Sequence, residues 1–200
     1  MKLLLALSFF IIVFFISYNK GLNSNNALPG RSFNYFTSKD NFKSFYKDKV
    51  NLKTGIEEQR SILLTNIYNA QNFLARLNVS YTIINRDEMK EIADDLKIDT
   101  FEGLYNTKTN EIYIVDYDKD TSIHELGHVI YQQLLSNKER KLSSKYFKSE
   151  SSKLIDEYGK ESEKEFFAVA FTEYIYSPDT LKANCPNIYK LINDIDNNIK

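Results

Sequence analysis

The chain's two histidines, His124 and His128, both lie in the stretch "SIHELGHVIYQQ", four residues apart with Glu125 next to the first. On a helix, residues four apart share a face one turn apart, so both imidazoles can bind one metal ion. Glu125 can then act as general base toward a water at that ion. The plainer alternative is an amphipathic helix that carries two histidines by coincidence. Against it, a chain of 200 residues places its two histidines at this one spacing, with a glutamate between them. The pattern therefore reads as a zinc site.

A catalytic zinc takes three protein ligands and keeps one position open. With both histidines used, the third ligand must be a carboxylate, and positions 131 and 134, Tyr and Leu, exclude the extended three-histidine pattern. Glu161, Glu163, Glu165 and Glu173 all lie on or near a later helical segment at a separation that a helix-loop-helix unit can bridge. Most such glutamates are solvated surface charges. Glu165 stands out because it precedes the apolar run "FFAVAF", and Ala168 and Val169, three and four residues on, leave room for another helix to approach.

"HELGH", then "EYGKESEKEFFAVAF" about thirty residues later and "LKANCPNIYKLI" near the end resemble the metallopeptidases of the anthrax lethal factor type, a family that includes secreted Pro-Pro endopeptidases. The likeness covers roughly residues 100 to 195. It implies that Glu165, which opens the E-F-F-A-x-x-F motif, is the third zinc ligand beside His124 and His128. It also implies that Glu125 is the base and that Tyr158, seven residues before Glu165, contributes to catalysis. A phenol across the metal from Glu125 could donate a hydrogen bond to the oxyanion of a tetrahedral intermediate. The expected cofactor is one Zn2+ ion and the expected substrate a protein or peptide, proline-containing in the Pro-Pro endopeptidases. Those enzymes use a tryptophan and a longer Gly-rich loop to select proline; this chain has no Trp, and its corresponding "FEGLYNTKTNEIY" is short and lacks proline.

Several elements must position these residues. Leu63, Ile67, Ala70, Leu74 and Leu77 follow a 4-3-4-3 spacing that predicts one helix over about Glu57 to Asn78. "VSYTII" alternates as a strand, and "RDEMKEIADDL" follows as a short helix with Met89, Ile92 and Leu96 on one side. "GLYNTKTNEIYIVDY" reads as two β segments joined around Asn106 to Asn110, the second well placed as an edge strand that could hold an extended peptide. Asp120 or Thr121 can cap a helix carrying the histidines through Leu135, with Leu126, Val129, Ile130 and Leu134 in support. Gly127 inside that helix costs about 1 kcal/mol relative to Ala, which either a close approach by another backbone or side chain or a plain packing role would explain. A further helix is expected from about Ser162 to Tyr176, ended by Pro178, and a terminal one uses Ile188, Leu191, Ile192 and Ile195.

The opening "MKLLLALSFFIIVFFISYNK" has an uncharged apolar run that suits a signal peptide or an N-terminal membrane anchor. Residues 21–40, rich in Asn, Ser and Gly, read as a linker, and residues 41–200 as the catalytic domain. Secretion, or attachment to the outer face of the membrane, is therefore expected. At 42% hydrophobic residues the chain can bury a sizeable core. Cys185 is the one cysteine, so no internal disulfide forms, and it reads as a small buried apolar residue. A formal charge of −1 with acids and bases interspersed marks no nucleic-acid surface. The expected whole is an α+β, zincin-like, monomeric protease domain, mainly helical with a small mixed β-sheet. The alternative is a non-catalytic zinc-binding or peptide-binding module of the same fold.

Overall fold

The computed structural model describes residues 38–97, 102–115 and 119–199. The leader expected over 1–20, and all but the last residues of the linker expected over 21–40, lie outside the described residues. The first element is α1 (Lys39–Tyr46), capped by the Ser38 hydroxyl, which accepts from the N–H of Asn41.

A four-stranded mixed sheet has the order β1-β2-β4-β3. β1 (Val50–Leu52), β2 (Ser80–Ile83) and β4 (Glu111–Ile114) run parallel, and β3 (Gly103–Asn106) pairs antiparallel with β4 across a turn in which Asn110 takes positive φ. The edge strand expected at "EIYIVDY" is thus corrected. β4 is paired on both sides, and β3 is the outer strand next to the histidine helix. A period-two pattern reports which face of a strand is buried, and strand order is invisible to it.

The parallel connections require helical crossovers. α2 (Glu57–Ile67) and α3 (Gln71–Leu74) link β1 to β2, and α4 (Arg86–Leu96) follows β2. The helix predicted as continuous over 57–78 is therefore broken by a tight turn at Tyr68–Ala70. Its predicted apolar face holds, since Leu63, Ile67, Ala70, Leu74 and Leu77 are all buried. Long-range bonds account for the break: the Tyr46 hydroxyl donates to the Leu74 carbonyl, and the Asn72 amide donates to Asp196 at 3.1 Å.

The histidines sit on α5 (Lys119–Gln133), which begins a residue before the expected cap at Asp120. It is followed by α6 (Asn137–Glu150), α7 (Glu163–Tyr176), α8 (Pro178–Asn184) and α9 (Pro186–Ile199). α6 has few apolar residues, but Ser136 and Glu139 cap it reciprocally, a signal readable in "SNKE". Pro178 does more than end α7: it occupies the first position of α8, where its missing N–H costs nothing.

α7 is the central helix. Every residue from Phe166 to Phe171 is buried, as a helix that is apolar all round requires. Phe171 meets Phe73 edge-to-face with ring centroids 4.9 Å apart. On the other side α7 packs against α5, whose buried Ile123, Leu126, Val129 and Ile130 cover the sheet. The Tyr81 hydroxyl of β2 donates to the Ser122 carbonyl of α5 at 3.0 Å, so α5 is held to the sheet by a polar bond as well as by packing.

Candidate metal centre

α5 and α7 approach backbone to backbone. A Cβ on Gly127 would stand 2.7 Å from the Ala168 Cα, so of the two roles open to this glycine it has the close approach, and the partner is the small residue three positions after Glu165. This contact brings the carboxylate of α7 to the imidazoles of α5. The Nε2 atoms of His124 and His128 lie 3.2 Å apart, and Glu165 Oε2 lies 3.0 Å from the first and 3.2 Å from the second.

Three donor atoms at these separations form a nearly equilateral triangle. Bonds of about 2.0–2.1 Å in a tetrahedral zinc site place ligand atoms roughly 3.3–3.4 Å apart, so the set fits such an ion with little adjustment. Two imidazole nitrogens and a carboxylate oxygen are also suitable chemistry for Zn2+. Of the four carboxylates weighed from the sequence, only Glu165 joins a His/Cys/Asp/Glu group able to hold a metal among the described residues. Glu163 instead accepts from the Ser144 hydroxyl at 2.6 Å, and Glu161 is exposed.

Local structure fixes Glu165. Ser162 caps α7 and its hydroxyl accepts from the Glu165 N–H at 3.2 Å, placing the carboxylate in the first turn. Burial pushes the Glu165 carboxyl up, but bonds to His124 and His128 outweigh this and hold it down at about 2. Burial alone would push His128 down; its bond to Glu165 and the nearby Glu125 and Glu165 charges raise it instead.

Glu125 is buried beside this group. Burial raises its pKa above the ordinary carboxylate value, while His128 and His124 pull it back in part. The Tyr105 backbone of β3 pulls it back a little further. β3 also makes room for it: a Cβ on Gly103 would fall 2.8 Å from Glu125 Cγ and 3.0 Å from Oε1. Sequence reasoning missed these two contributions of β3, although a glycine within a strand is a known sign of close approach.

Tyr158 stands on a single 3-10 turn, Glu157–Lys160, with its ring centroid 5.6 Å from that of His124. The residue is 38% exposed, which keeps the phenol at the mouth of the site. Burial, followed by the charges of Glu165, Glu161, Glu125 and Asp156, pushes its hydroxyl well above the usual tyrosine range. A phenol so placed stays protonated and can donate a hydrogen bond.

The chain is similar to known proteins in sequence profile and in fold. The family profile described as anthrax toxin lethal factor, N- and C-terminal domain, matches residues 88–195. Among solved structures, the Pro-Pro endopeptidase from Paenibacillus alvei shares the fold with a TM-score of 0.57 and 16% identity, over 75% of this chain and 98% of that one. No curated protein matches the chain.

Proposed function

Because the chain belongs to the anthrax toxin lethal factor N- and C-terminal domain family, a metallopeptidase family, we propose that it is a zinc metalloendopeptidase cutting peptide bonds in a protein or peptide substrate. The observation that carries this reading is the ligand triangle of His124, His128 and Glu165 with Glu125 and Tyr158 beside it. One zinc ion held there would polarise the scissile carbonyl and acidify the attacking water. Glu125, its carboxyl raised by burial, would take the proton of that water and pass it to the leaving amine. Tyr158 donates to the oxyanion that develops on the carbonyl oxygen.

An extended substrate would lie along β3, which has no strand on its far side among the described residues. Backbone pairing there holds a peptide with little regard to its side chains. The apolar N-terminal run supports export, so the enzyme acts outside the cytoplasm, secreted or held at the membrane's outer face, as a monomer.

Metal analysis together with a peptide-library cleavage assay tests the proposal. One zinc per chain and defined cleavage products are expected. Zinc without cleavage of any peptide would reduce the protein to a binding module, and absence of zinc under loading conditions would overturn both.

A further inference from the structure

We propose that Gln133 is a positioning residue for the substrate: with Asn110 it clamps the Tyr105 side chain to the end of α5 and so holds β3 where an extended peptide pairs with it. This rests on the endopeptidase reading above.

The two edges of β3 have different duties. The Val115 N–H donates to the Glu102 carbonyl at 2.8 Å, which makes these two a hydrogen-bonded pair just beyond the β3–β4 ladder. In an antiparallel ladder such pairs alternate, so Leu104–Tyr113 and Asn106–Glu111 are bonded pairs as well. The N–H and C=O groups of Gly103 and Tyr105 therefore point the other way, to the edge that carries no strand among the described residues. These are the residues of β3 whose backbone can pair with a peptide.

The same two positions face α5. A Cβ on Gly103 would meet Thr121 Cγ2 at 2.7 Å and Glu125 Cγ at 2.8 Å. At Tyr105, the Gln133 amide donates to the phenol oxygen at 2.7 Å and to Asn110 Oδ1, and the phenol donates to Asn110 Oδ1 at 3.0 Å, which closes a ring of three side chains. Asn110, in the left-handed region at φ 57°, also donates to the Asn78 carbonyl ahead of β2. Glu125 and Gln133 stand eight residues apart on α5, roughly 12 Å along its axis. β3 thus meets the helix at two points: the Gly103 contact limits its approach, and the Tyr105 ring resists its withdrawal.

An outer strand with one partner needs such a tie. Bonds between partly exposed side chains add little to global stability, because water competes for them. The metal ligands and Glu125 are carried by α5 and α7, so the reacting groups keep their places when β3 loosens, and the seat of the substrate is what shifts.

Kinetics on the zinc-loaded full chain test this, with an extended peptide that the wild type cleaves and its shortest cleaved fragment. Gln133→Met, which keeps the side chain's length and removes the donors, should raise KM for the extended peptide about tenfold with kcat within about twofold. For the fragment, KM should change by less than about twofold, since little of it pairs with β3. Tyr105→Phe should act alike, and the double variant should add no more than about twofold to either single change; if one variant fails to fold, the other reads the same loss. Hydrogen exchange at the Leu104 and Asn106 amides should accelerate in Gln133→Met, with zinc content at the wild-type level. Partial unfolding would instead lower kcat and leave KM, so a loss confined to kcat would overturn the proposal, as would equal KM changes for both peptides or unaltered exchange in β3. A wild type that cleaves no peptide would remove the endopeptidase reading itself, whatever the exchange shows.

Discussion

Gly127 of α5 lies so close to Ala168 of α7 that a Cβ on the glycine would come within 2.7 Å of the Ala168 Cα. Both ligand-bearing helices depend on this contact, because His124 and His128 flank Gly127 on one helix and Glu165 precedes Ala168 by less than a turn on the other.

Gly127→Ala is therefore expected to reverse the ordinary helix rule. Alanine gains about 1 kcal/mol over glycine in a helix interior, but here it forces the helices apart, and overpacking costs about 1–3 kcal/mol. The variant should melt at a lower temperature and bind zinc more weakly. A more stable variant with unchanged zinc affinity would contradict the packing argument.

Gly103→Ala should act on the base and spare the metal. The new methyl presses on Thr121 and Glu125 and on none of the three ligands, so kcat is expected to fall about tenfold or more with zinc content equal to the wild type. Loss of zinc in this variant would mean that β3 supports the ligands as well.

Removing the metal should loosen the junction of α5 and α7. An ion that binds only the folded chain stabilises it by about 4 kcal/mol at a thousand times Kd. Chelation is thus expected to lower the wild-type melting temperature and to leave that of Glu165→Ala nearly unchanged. An equal response of the two proteins would show that Glu165 is not a ligand.

Cys185 should be inert while the chain is folded. It is fully buried, and burial together with the charges of Glu150 and Glu173 pushes its thiol up to about 11. Only the thiolate reacts, and at pH 8 three units below that value leave roughly one thousandth of it ionised. Alkylation by iodoacetamide at pH 8 should follow global unfolding, and rapid labelling of native protein would contradict the burial.

Elements with strong local signals were legible in the sequence. α4 follows its expected bounds, because Asn85 and Glu88 cap it reciprocally and Met89 and Ala93 repeat at helical spacing. α9 follows from its apolar positions, since Ile188, Leu191, Ile192 and Ile195 are all buried. The break between α2 and α3 was hidden, since the Asn72–Asp196 bond that directs α3 joins residues 124 apart. α6 and the three-residue β1 are too polar or too short for periodicity to reveal.

The site divides in the same way. His124, Glu125 and His128 are adjacent on one helix, so spacing alone placed them. The carboxylate that meets them depends on how two helices pack; its place before "FFAVAF" and the resemblance both singled out Glu165, and the Gly127–Ala168 contact supplies the physical reason. The support that β3 gives Glu125 arises from strand order and became visible only in three dimensions.

The most direct test of the central claim is the turnover of Glu125→Gln beside the wild type, both carrying one zinc per chain. The amide keeps the shape and the ligands while it removes the base, so peptide cleavage should fall by about two orders of magnitude or more. Undiminished cleavage by the zinc-loaded variant would show that Glu125 is not the base and that peptide hydrolysis does not proceed as proposed.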